Sequence, residues 1–257
     1  ASPRIPSVGG WGASTTGKNL AIPAFALAGL NVQANPKYGS EKKGQPTSFY
    51  ATLSRGEIRL NAELRYVDVV LSPDPNVYRS TDPLAGMKEG GILIIQSDMT
   101  PQELWASFPT QGQETIRRKG IKVYGLDGFK IAQEEAGDPE LRYRMQGAAF
   151  MGAFFKASPL AEREGLTEER LFAGILDQLN KKFGKLGQRV VEDNVRVIRR
   201  GYDELFAVPV EEGVREAVGA EGGVGHIPSL LDQDNQQWGI ANQGRFWEQV
   251  CAFFTWP

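Results

Sequence analysis

Cysteine and histidine are almost absent from this sequence of 257 residues, which contains one of each, Cys251 and His226. A single cysteine excludes an intrachain disulfide framework and a cysteine-held iron–sulfur cluster built by this chain alone. A single histidine argues against a self-contained zinc site, and a Ser-His-Asp triad would depend on that one residue in a glycine-rich stretch. The composition favours a binding domain or a subunit of a complex. We predict neither catalytic residues nor metal ligands in this chain.

A basic excess and a long apolar segment are also lacking. Lysine and arginine total 29 against 31 acidic residues, whereas dedicated nucleic-acid binders usually carry a strong positive charge. The N-terminal residues contain no apolar signal core. Residues 21–30 are apolar but are interrupted by Pro23 and Gly29, and they fall far short of the roughly 20 residues that span a bilayer. We therefore predict a cytoplasmic protein that contacts neither nucleic acid nor membrane.

Alternating strand and helix patterns predict an α/β fold. An apolar segment at residues 5–8, a helical segment at 14–28 that ends at Gly29, and a strand at 30–34 are typical of a βαβ unit with a parallel sheet. Asp127 is placed to cap a helix. Three further apolar runs are expected to form strands buried on both faces: residues 67–71, 92–95 and 121–124.

Two alternating strands are predicted around a turn at Arg55-Gly56. The apolar residues of the first share one face, and those of the second share another. They are Phe49, Ala51 and Leu53 in the first strand, and Ile58 and Leu60 in the second.

Residues 139–206 are predicted to be helical. The first helix carries small residues that allow close approach of a neighbouring backbone, Thr167 precedes the next, and the last has an amphipathic pattern. The small residues are Gly147, Ala148, Ala149 and Gly152, and the amphipathic positions are Val191, Val195, Ile198, Tyr202 and Leu205. The expected domain, residues 1–208, is an open, mostly parallel sheet flanked by helices.

The composition changes after Pro209. Residues 210–237 are rich in Gly, Glu, Gln and Asp, as in an extended linker, and the last twenty residues are rich in large aromatic rings. Such a short tail cannot bury these rings by itself. We predict that residues 209–257 form a linker and a partner-docking tail; the alternative is that the tail folds back onto its own domain.

Glycines follow the first predicted strand in the segment Gly9-Gly10-Trp11-Gly12. Glycine lets a backbone come close to a phosphate, and a helix N-terminus offers free N–H groups. Many tight turns contain glycine without binding anything, so the local pattern leaves both interpretations open. The overlapping residues 12–19 follow the spacing of a phosphate loop except that Asn19 stands where a Ser or Thr hydroxyl would hold magnesium. Lys18 then either binds a phosphate or is a surface lysine of the first predicted helix. Because Asn19 cannot replace the hydroxyl, ATP hydrolysis is disfavoured.

A basic segment, Tyr38-Gly39-Ser40-Glu41-Lys42-Lys43-Gly44, follows the second predicted strand. In an open α/β sheet, ligands bind at the carboxyl ends of the strands, and lysine acts as a point charge for phosphate. The segment therefore suits an anionic ligand, although a solvated basic turn has the same composition.

These motifs, in this order, resemble the gamma subunit or gamma domain of 2-oxoacid:ferredoxin oxidoreductases, the family of pyruvate:ferredoxin oxidoreductase. The resemblance covers roughly residues 8–207 and includes both segments above. Its other parts are Asp68, Asp74-Pro75, Gly90-Gly91, residues 124–132, Phe183-Gly184-Lys185-Leu186-Gly187 and residues 190–194.

The resemblance implies a function within a complex. Complexes of this family decarboxylate a 2-oxoacid such as pyruvate on thiamine diphosphate with Mg²⁺, pass electrons through [4Fe-4S] clusters to ferredoxin, and transfer the acyl group to coenzyme A. Other subunits hold the thiamine and the clusters, and the gamma domain is the part associated with coenzyme A. By resemblance, the phosphate contacts are assigned to Gly9, Gly10, Gly12, Lys18, Ser40, Lys42, Lys43 and Gly44.

Two alternatives remain open. Trp11 and Gln45-Pro46 depart from the family pattern, which favours a structural subunit of a relative that needs no coenzyme A, such as an enzyme acting on oxalate. A stand-alone nucleotide enzyme is the third hypothesis, and it predicts turnover by the isolated chain.

Overall fold

The fold is that of a computed structural model, and it is described for residues 3–8, 17, 29–37, 46–59, 66–137 and 142–210. Seven strands form one sheet in these residues. In chain order they are β1 (Pro3–Val8), β2 (Asn31–Lys37), β3 (Pro46–Ser54), β4 (Val67–Ser72), β5 (Met87–Gln96), β6 (Lys122–Leu126) and β7 (Phe206–Ala207). They lie side by side in the order β2-β3-β1-β4-β5-β6-β7.

The helices of the described residues are concentrated after β4. They are α1 (Val77–Ser80), α2 (Pro101–Ser107), α3 (Thr110–Lys119), α4 (Gly128–Glu135), α5 (Arg142–Ala157), α6 (Leu160–Arg163), α7 (Glu168–Phe183) and α8 (Gln188–Asp203). A 3₁₀ turn, Gly184–Leu186, joins α7 to α8. Asp127 caps α4 as predicted, because its Oδ1 accepts a hydrogen bond from the Lys130 N–H at 3.0 Å.

The directions of the strands confirm an α/β fold with a mostly parallel sheet. β1, β4, β5 and β6 pair in parallel, and β2 has the same direction as β1 because both are antiparallel to β3. β7 is antiparallel to β6. The predicted βαβ unit needs a correction, since β1 and β2 are not neighbours. β3 lies between them and hydrogen-bonds to both.

The second strand of the predicted antiparallel pair is wrong where the structure describes it. Residues 57–59 form no strand, and Leu60 lies outside the described residues. The physical reason is that both edges of β3 are occupied, by β1 and by β2. The face predicted for β3 is confirmed, because Phe49, Ala51 and Leu53 are all buried.

Two hydrophobic clusters lie on opposite faces of the sheet, so the central strands are buried on both sides, as predicted. On β4, Val69 and Leu71 belong to the cluster with α4, α5, α7 and α8, whereas Val67 and Val70 belong to the cluster with α1, α2 and α3. Alternation of side chains along the strand separates Val70 from Val69 and Leu71, whereas Val67 departs from this alternation at the register shift between Val67 and Val69. Continuous apolar runs are the sequence signature of such strands.

Close packing of α5 against α8 confirms the prediction made from the small residues. A Cβ atom on Gly152 would lie 2.0 Å from the carbonyl oxygen of Ile198, and one on Gly201 would lie 2.1 Å from the carbonyl oxygen of Ala149. Only glycine allows the two backbones to approach this closely. The contact fixes the helix layer over the face of the sheet.

Candidate functional site

The carboxyl ends of the parallel strands form the candidate ligand-binding edge of the sheet. β1 ends at Val8 and its parallel neighbour β4 ends at Ser72. From β1 the chain goes to β2 and β3 on one side, and from β4 to β5, β6 and β7 on the other. The point between β1 and β4 is therefore the topological switch point, where open α/β sheets bind ligands.

The predicted phosphate-binding residues all lie outside the described residues. They are Gly9, Gly10, Gly12, Lys18, Ser40, Lys42, Lys43 and Gly44. The strand ends beside them are described. Gly9 follows Val8, and residues 38–45 connect Lys37 of β2 to Pro46 of β3.

Those strand ends meet at one edge of the sheet. Val8 of β1 is the register partner of Pro46 of β3. Lys37 of β2 pairs with Ser48, two residues further along β3. The glycine segment and the lysine segment therefore begin or end beside the switch point.

Gly17 explains one feature of the near-match to a phosphate loop. This residue is helical and buried, and a Cβ atom on it would lie 2.1 Å from Cδ1 of the Phe49 ring. Phe49 is a buried core residue of β3. Packing against this ring requires glycine at position 17, independently of any phosphate.

A buried network of amide side chains joins the strand ends at this edge. Gln146 of α5 donates from Nε2 to the Pro73 carbonyl at 2.8 Å and to Oε1 of Gln96 at 3.2 Å. Gln96 donates from Nε2 to Oδ1 of Asp127 at 3.0 Å. The exposed fractions of Gln146 and Gln96 are only 1% and 4%, so these hydrogen bonds form in a low dielectric, where they hold the segments after β4 and β6 in place.

Sequence reasoning missed this network. Its partners are separated by 73 and 50 residues, and single glutamines carry no spacing pattern. A glutamine in the apolar small-residue stretch of α5 was the one available signal.

The turn after β4 is fixed by its own side chains. Ser72 donates from Oγ to the Asp74 carbonyl at 3.0 Å, and Oδ1 of Asp74 accepts from the Asn76 N–H at 2.8 Å. Asp74 is buried. This Asx turn shapes the wall of the switch point next to β1.

A buried arginine anchors β1 to the segment that connects α1 to β5. Arg4 donates from Nη2 to the Pro83 carbonyl at 2.7 Å. Removal from water lowers the pKa of the Arg4 guanidinium from its ordinary value, against the opposing effects of Tyr50 and Asp82. The strand that leads into the glycine segment is thus held by a long-range polar contact.

Metal-ligand clusters and membrane-spanning helices are both absent from the part of the chain that the structure describes. It contains no group of three or more His, Cys, Asp or Glu side chains placed to hold a metal ion. Nor does any helix there have the length and apolar character needed to cross a bilayer.

The fold and the edge formed by the carboxyl ends of the strands define the class of this protein. It is an open α/β domain whose strand order reverses between β1 and β4, with a candidate ligand site at that point. The profile of the family described as pyruvate ferredoxin/flavodoxin oxidoreductase matches residues 2–204. The chain belongs to this family.

Similar proteins are gamma-type subunits. The chain is 31% identical over 192 residues to the pyruvate/ketoisovalerate oxidoreductases common subunit gamma of Thermococcus litoralis, covering 75% of this chain and 96% of that one. Its fold is similar to that of the pyruvate oxidoreductase subunit PORC of Thermotoga maritima, with a TM-score of 0.59 and 22% identity over 81% of this chain and 98% of that one.

A longer protein also shares the fold. It is the 2-oxoglutarate:ferredoxin oxidoreductase of Magnetococcus marinus, whose structure has 2-oxoglutarate, coenzyme A and succinyl-CoA bound. The TM-score is 0.54 and the identity 21%, covering 79% of this chain and 30% of that one.

Proposed function

We propose that this chain is the gamma subunit of a cytoplasmic 2-oxoacid:ferredoxin oxidoreductase complex that converts a 2-oxoacid such as pyruvate to an acyl-CoA and CO₂. The chain contributes a surface for coenzyme A and contacts to other subunits. Thiamine diphosphate, Mg²⁺ and the [4Fe-4S] clusters are held by those subunits, and ferredoxin or a similar acceptor receives the electrons. The isolated chain is inactive, because a chain with one cysteine cannot hold such a cluster by itself.

One observation carries the coenzyme A assignment: the strand ends that flank the glycine and lysine segments meet at the switch point. Coenzyme A carries a diphosphate and a 3′-phosphate. In the proposal, backbone N–H groups at Gly9, Gly10 and Gly12 bind phosphate oxygens, because glycine allows close approach. Lys42 and Lys43 supply positive charge for the remaining phosphate oxygens.

The remaining candidates complete the proposed phosphate site. Ser40 donates a hydroxyl hydrogen bond to a phosphate oxygen, and Gly44 contributes a backbone contact to the phosphate. Lys18 follows the glycine segment and supplies a further positive charge.

The lysine assignment is tested in the natively purified complex by changing Lys42→Ala and Lys43→Ala together. Because each charge-assisted hydrogen bond to phosphate contributes about 1.5–3 kcal/mol, we expect the KM for coenzyme A to rise by about tenfold or more. Thiamine and iron content should stay unchanged. The matched control changes Lys181 and Lys182, an adjacent pair at the end of α7, to alanine and should leave the KM unchanged. An unchanged KM in the first variant would reject the lysine assignment.

A structural subunit of a complex that uses no coenzyme A is the second candidate. It is favoured by two departures of the sequence from the family pattern, Trp11 in the glycine segment and Gln45-Pro46 after the lysines. This candidate predicts full activity without the thiol.

We also propose that residues 209–257 are a linker and a docking tail for another subunit. Its support is the sequence alone, in which Trp238, Phe246, Trp247, Phe253, Phe254 and Trp256 follow a polar, glycine-rich stretch. Aromatic side chains of this kind are common anchors of protein interfaces.

A further inference from the structure

The two sides of the switch point differ in charge along the ligand-binding edge of the sheet. In the sequence, the segments joined to β1, β2 and β3 carry the lysines proposed for phosphate, Lys18, Lys42 and Lys43. Residues 73–76, 97–100 and 127–130, which follow β4, β5 and β6, contain three aspartates and one lysine. A ligand with phosphates at one end only is therefore attracted by that end to the first side and repelled from the second.

Met99 exposes an apolar side chain on the second side. Three large apolar or aromatic side chains are exposed in the part of the chain that the structure describes, those of Tyr66, Met99 and Leu176. Tyr66 precedes β4 and Leu176 lies on α7, so Met99 alone among the three is at the ligand-binding edge. Its exposed fraction is 45%, although a residue that directly precedes a helix N-cap often packs onto the helix. Flexible methionine side chains are common on ligand-binding surfaces.

The backbone around Met99 is fixed, and polar side chains are available beside it. The Met99 N–H donates to Oγ of Ser97 at 3.1 Å, and Thr100 forms the capping box of α2. Asp98 and, after β4, Asn76 are exposed. Within the described ranges, neither of these two side chains takes part in a hydrogen bond or an ion pair. Asp98 can accept from N–H and O–H groups, and Asn76 can both donate and accept.

Coenzyme A has the matching distribution of charge. Its diphosphate and 3′-phosphate belong to the nucleotide half of the molecule. Its pantetheine arm is uncharged and carries amide groups, a hydroxyl group, apolar carbon atoms and the terminal thiol. The acidic side of the switch point, with Asn76, Asp98 and Met99, therefore suits the arm and not the nucleotide.

We infer that coenzyme A lies across the switch point in one direction, with its nucleotide half beside β1, β2 and β3 and its pantetheine arm over the ends of β4 and β5. This arrangement rests on the proposed function, since it describes how the same site holds coenzyme A. Asn76 and Asp98 hydrogen-bond to the amide and hydroxyl groups of the arm. Met99 packs against the apolar atoms near the thiol, as is usual in sites that combine apolar contacts with a few polar groups.

The spacing of the strands agrees with this direction. Val70 of β4 pairs with Arg4 of β1 and with Leu93 of β5, so the three strands end at a similar level. Neighbouring strands are about 4.8 Å apart, so the end of β5 lies about 10 Å from the end of β1. An extended pantetheine arm is longer than this distance. The thiol can therefore reach the segment after β5.

The first test compares coenzyme A with pantetheine, the same arm without any phosphate, as acyl acceptors of the natively purified complex. In Met99→Ala and in Asn76→Ala, we expect kcat/KM to fall about fivefold for both thiols, because each variant loses one contact to the arm. The ratio of the two kcat/KM values then stays as in the wild type. A fall for coenzyme A alone would mean that the nucleotide half lies over β5, and it would overturn the inference.

Leu176→Ala is the matched control. Leu176 is exposed to a similar extent, 39%, but lies on α7. This variant should leave both kcat/KM values unchanged. Unchanged values in Met99→Ala and Asn76→Ala as well would also overturn the inference, because the arm would then make no contact there.

The second test needs no turnover. Met99→Cys is made together with Cys251→Ser, which removes the one native cysteine of the chain, and the complex is incubated with the disulfide of coenzyme A. The thiolate at position 99 attacks this disulfide, forms a mixed disulfide with one coenzyme A and releases the other as a thiol. We expect labelling of the intact chain, measured by mass spectrometry, to be about tenfold faster than in Leu176→Cys and to be slowed by acetyl-CoA. Equal rates at the two positions would overturn the inference.

The two proposals fail in different ways. If the wild-type complex requires coenzyme A while the variants at positions 76 and 99 behave like the wild type, the direction of binding is rejected and the proposed function stands. If the wild-type complex works without the thiol, the proposed coenzyme A surface is rejected, and the direction of binding is rejected with it.

Discussion

Val8 and Pro46 are register partners in the antiparallel ladder of β1 and β3. Val8 is the last residue before the glycine segment, and Pro46 is the first residue after the segment that carries the lysine pair. The glycine segment and the lysine segment, which are separated in the sequence, thus connect to the sheet at one point. This point adjoins β4, where the strand order reverses, and it is the structural basis of the proposed coenzyme A surface.

Gly17→Ala is expected to destabilise the domain. The added Cβ would lie 2.1 Å from the Phe49 ring, and overpacking of a core of this kind costs about 1–3 kcal/mol. The free energy of unfolding in urea measures the effect. The control, Gly184→Ala, adds a Cβ that meets nothing within 4 Å at a helical φ of −54°, and it should not destabilise. Equal stability of both variants would show that position 17 has no packing constraint.

Gln146→Leu is expected to weaken the candidate site as well as the fold. It leaves the Pro73 carbonyl and Oε1 of Gln96 without this donor, at a cost of about 1–3 kcal/mol. Since Pro73 follows β4 at the switch point, the KM for coenzyme A in the complex should also rise.

Gln113→Leu is the matched control for that change. Gln113 also donates from Nε2 to two carbonyls, those of Trp105 and Phe108, on the other face of the sheet. It should lower stability and leave the KM for coenzyme A unchanged. If the two variants changed the KM equally, the amide network of Gln146 would have no specific role in the binding of coenzyme A.

Glu135→Gln tests the ion pairs between α4 and α8. Glu135 accepts from Arg196 at 2.9 Å and from Arg200 at 3.0 Å, and the hydrogen bond from Arg196 is the largest cause that lowers the pKa of Glu135. A lowered pKa in the folded state means that this stabilisation is complete above the ordinary glutamate pKa and is lost as the pH falls through the folded value.

The variant should therefore be less stable than the wild type at pH 7, by about 1 kcal/mol or less for a partly exposed network. The difference in melting temperature should shrink as the pH is lowered below the ordinary pKa of glutamate. A difference that stays constant over this range would show that the charge of Glu135 contributes nothing.

Deletion of residues 238–257 tests the proposed docking tail. The tail carries the aromatic anchors of the sequence, so its removal should release the chain from the complex, while residues 1–208 keep their circular dichroism spectrum. Size-exclusion chromatography of the co-expressed subunits measures retention. Full retention after the deletion would reject the tail as a clasp.

The buried strands were predictable because their sequences are locally distinctive. Residues 67–71, 92–95 and 121–124 fall within or overlap β4, β5 and β6, since burial on both faces demands continuous apolar runs. Helices α2 and α3 were missed, although Thr100 and Glu103 form a capping box with Pro101 between them. That pattern is a local helix-start signal that sequence reading can use.

The placement of β3 and the amide network were not predictable in the same way. Alternation of apolar residues showed which face of β3 is buried but not which strands pair with it, because pairing partners are chosen by long-range packing. Gln146 and Pro73 meet across 73 residues of sequence. No local pattern encodes such a contact.

The most direct measurement is the activity of the natively purified complex under anaerobic conditions, with a panel of 2-oxoacids, in the presence and absence of coenzyme A. The proposed function predicts oxidation that depends strictly on the thiol, with acyl-CoA as the product. Full activity without coenzyme A would contradict the proposed binding surface and would make this chain a structural subunit of the complex.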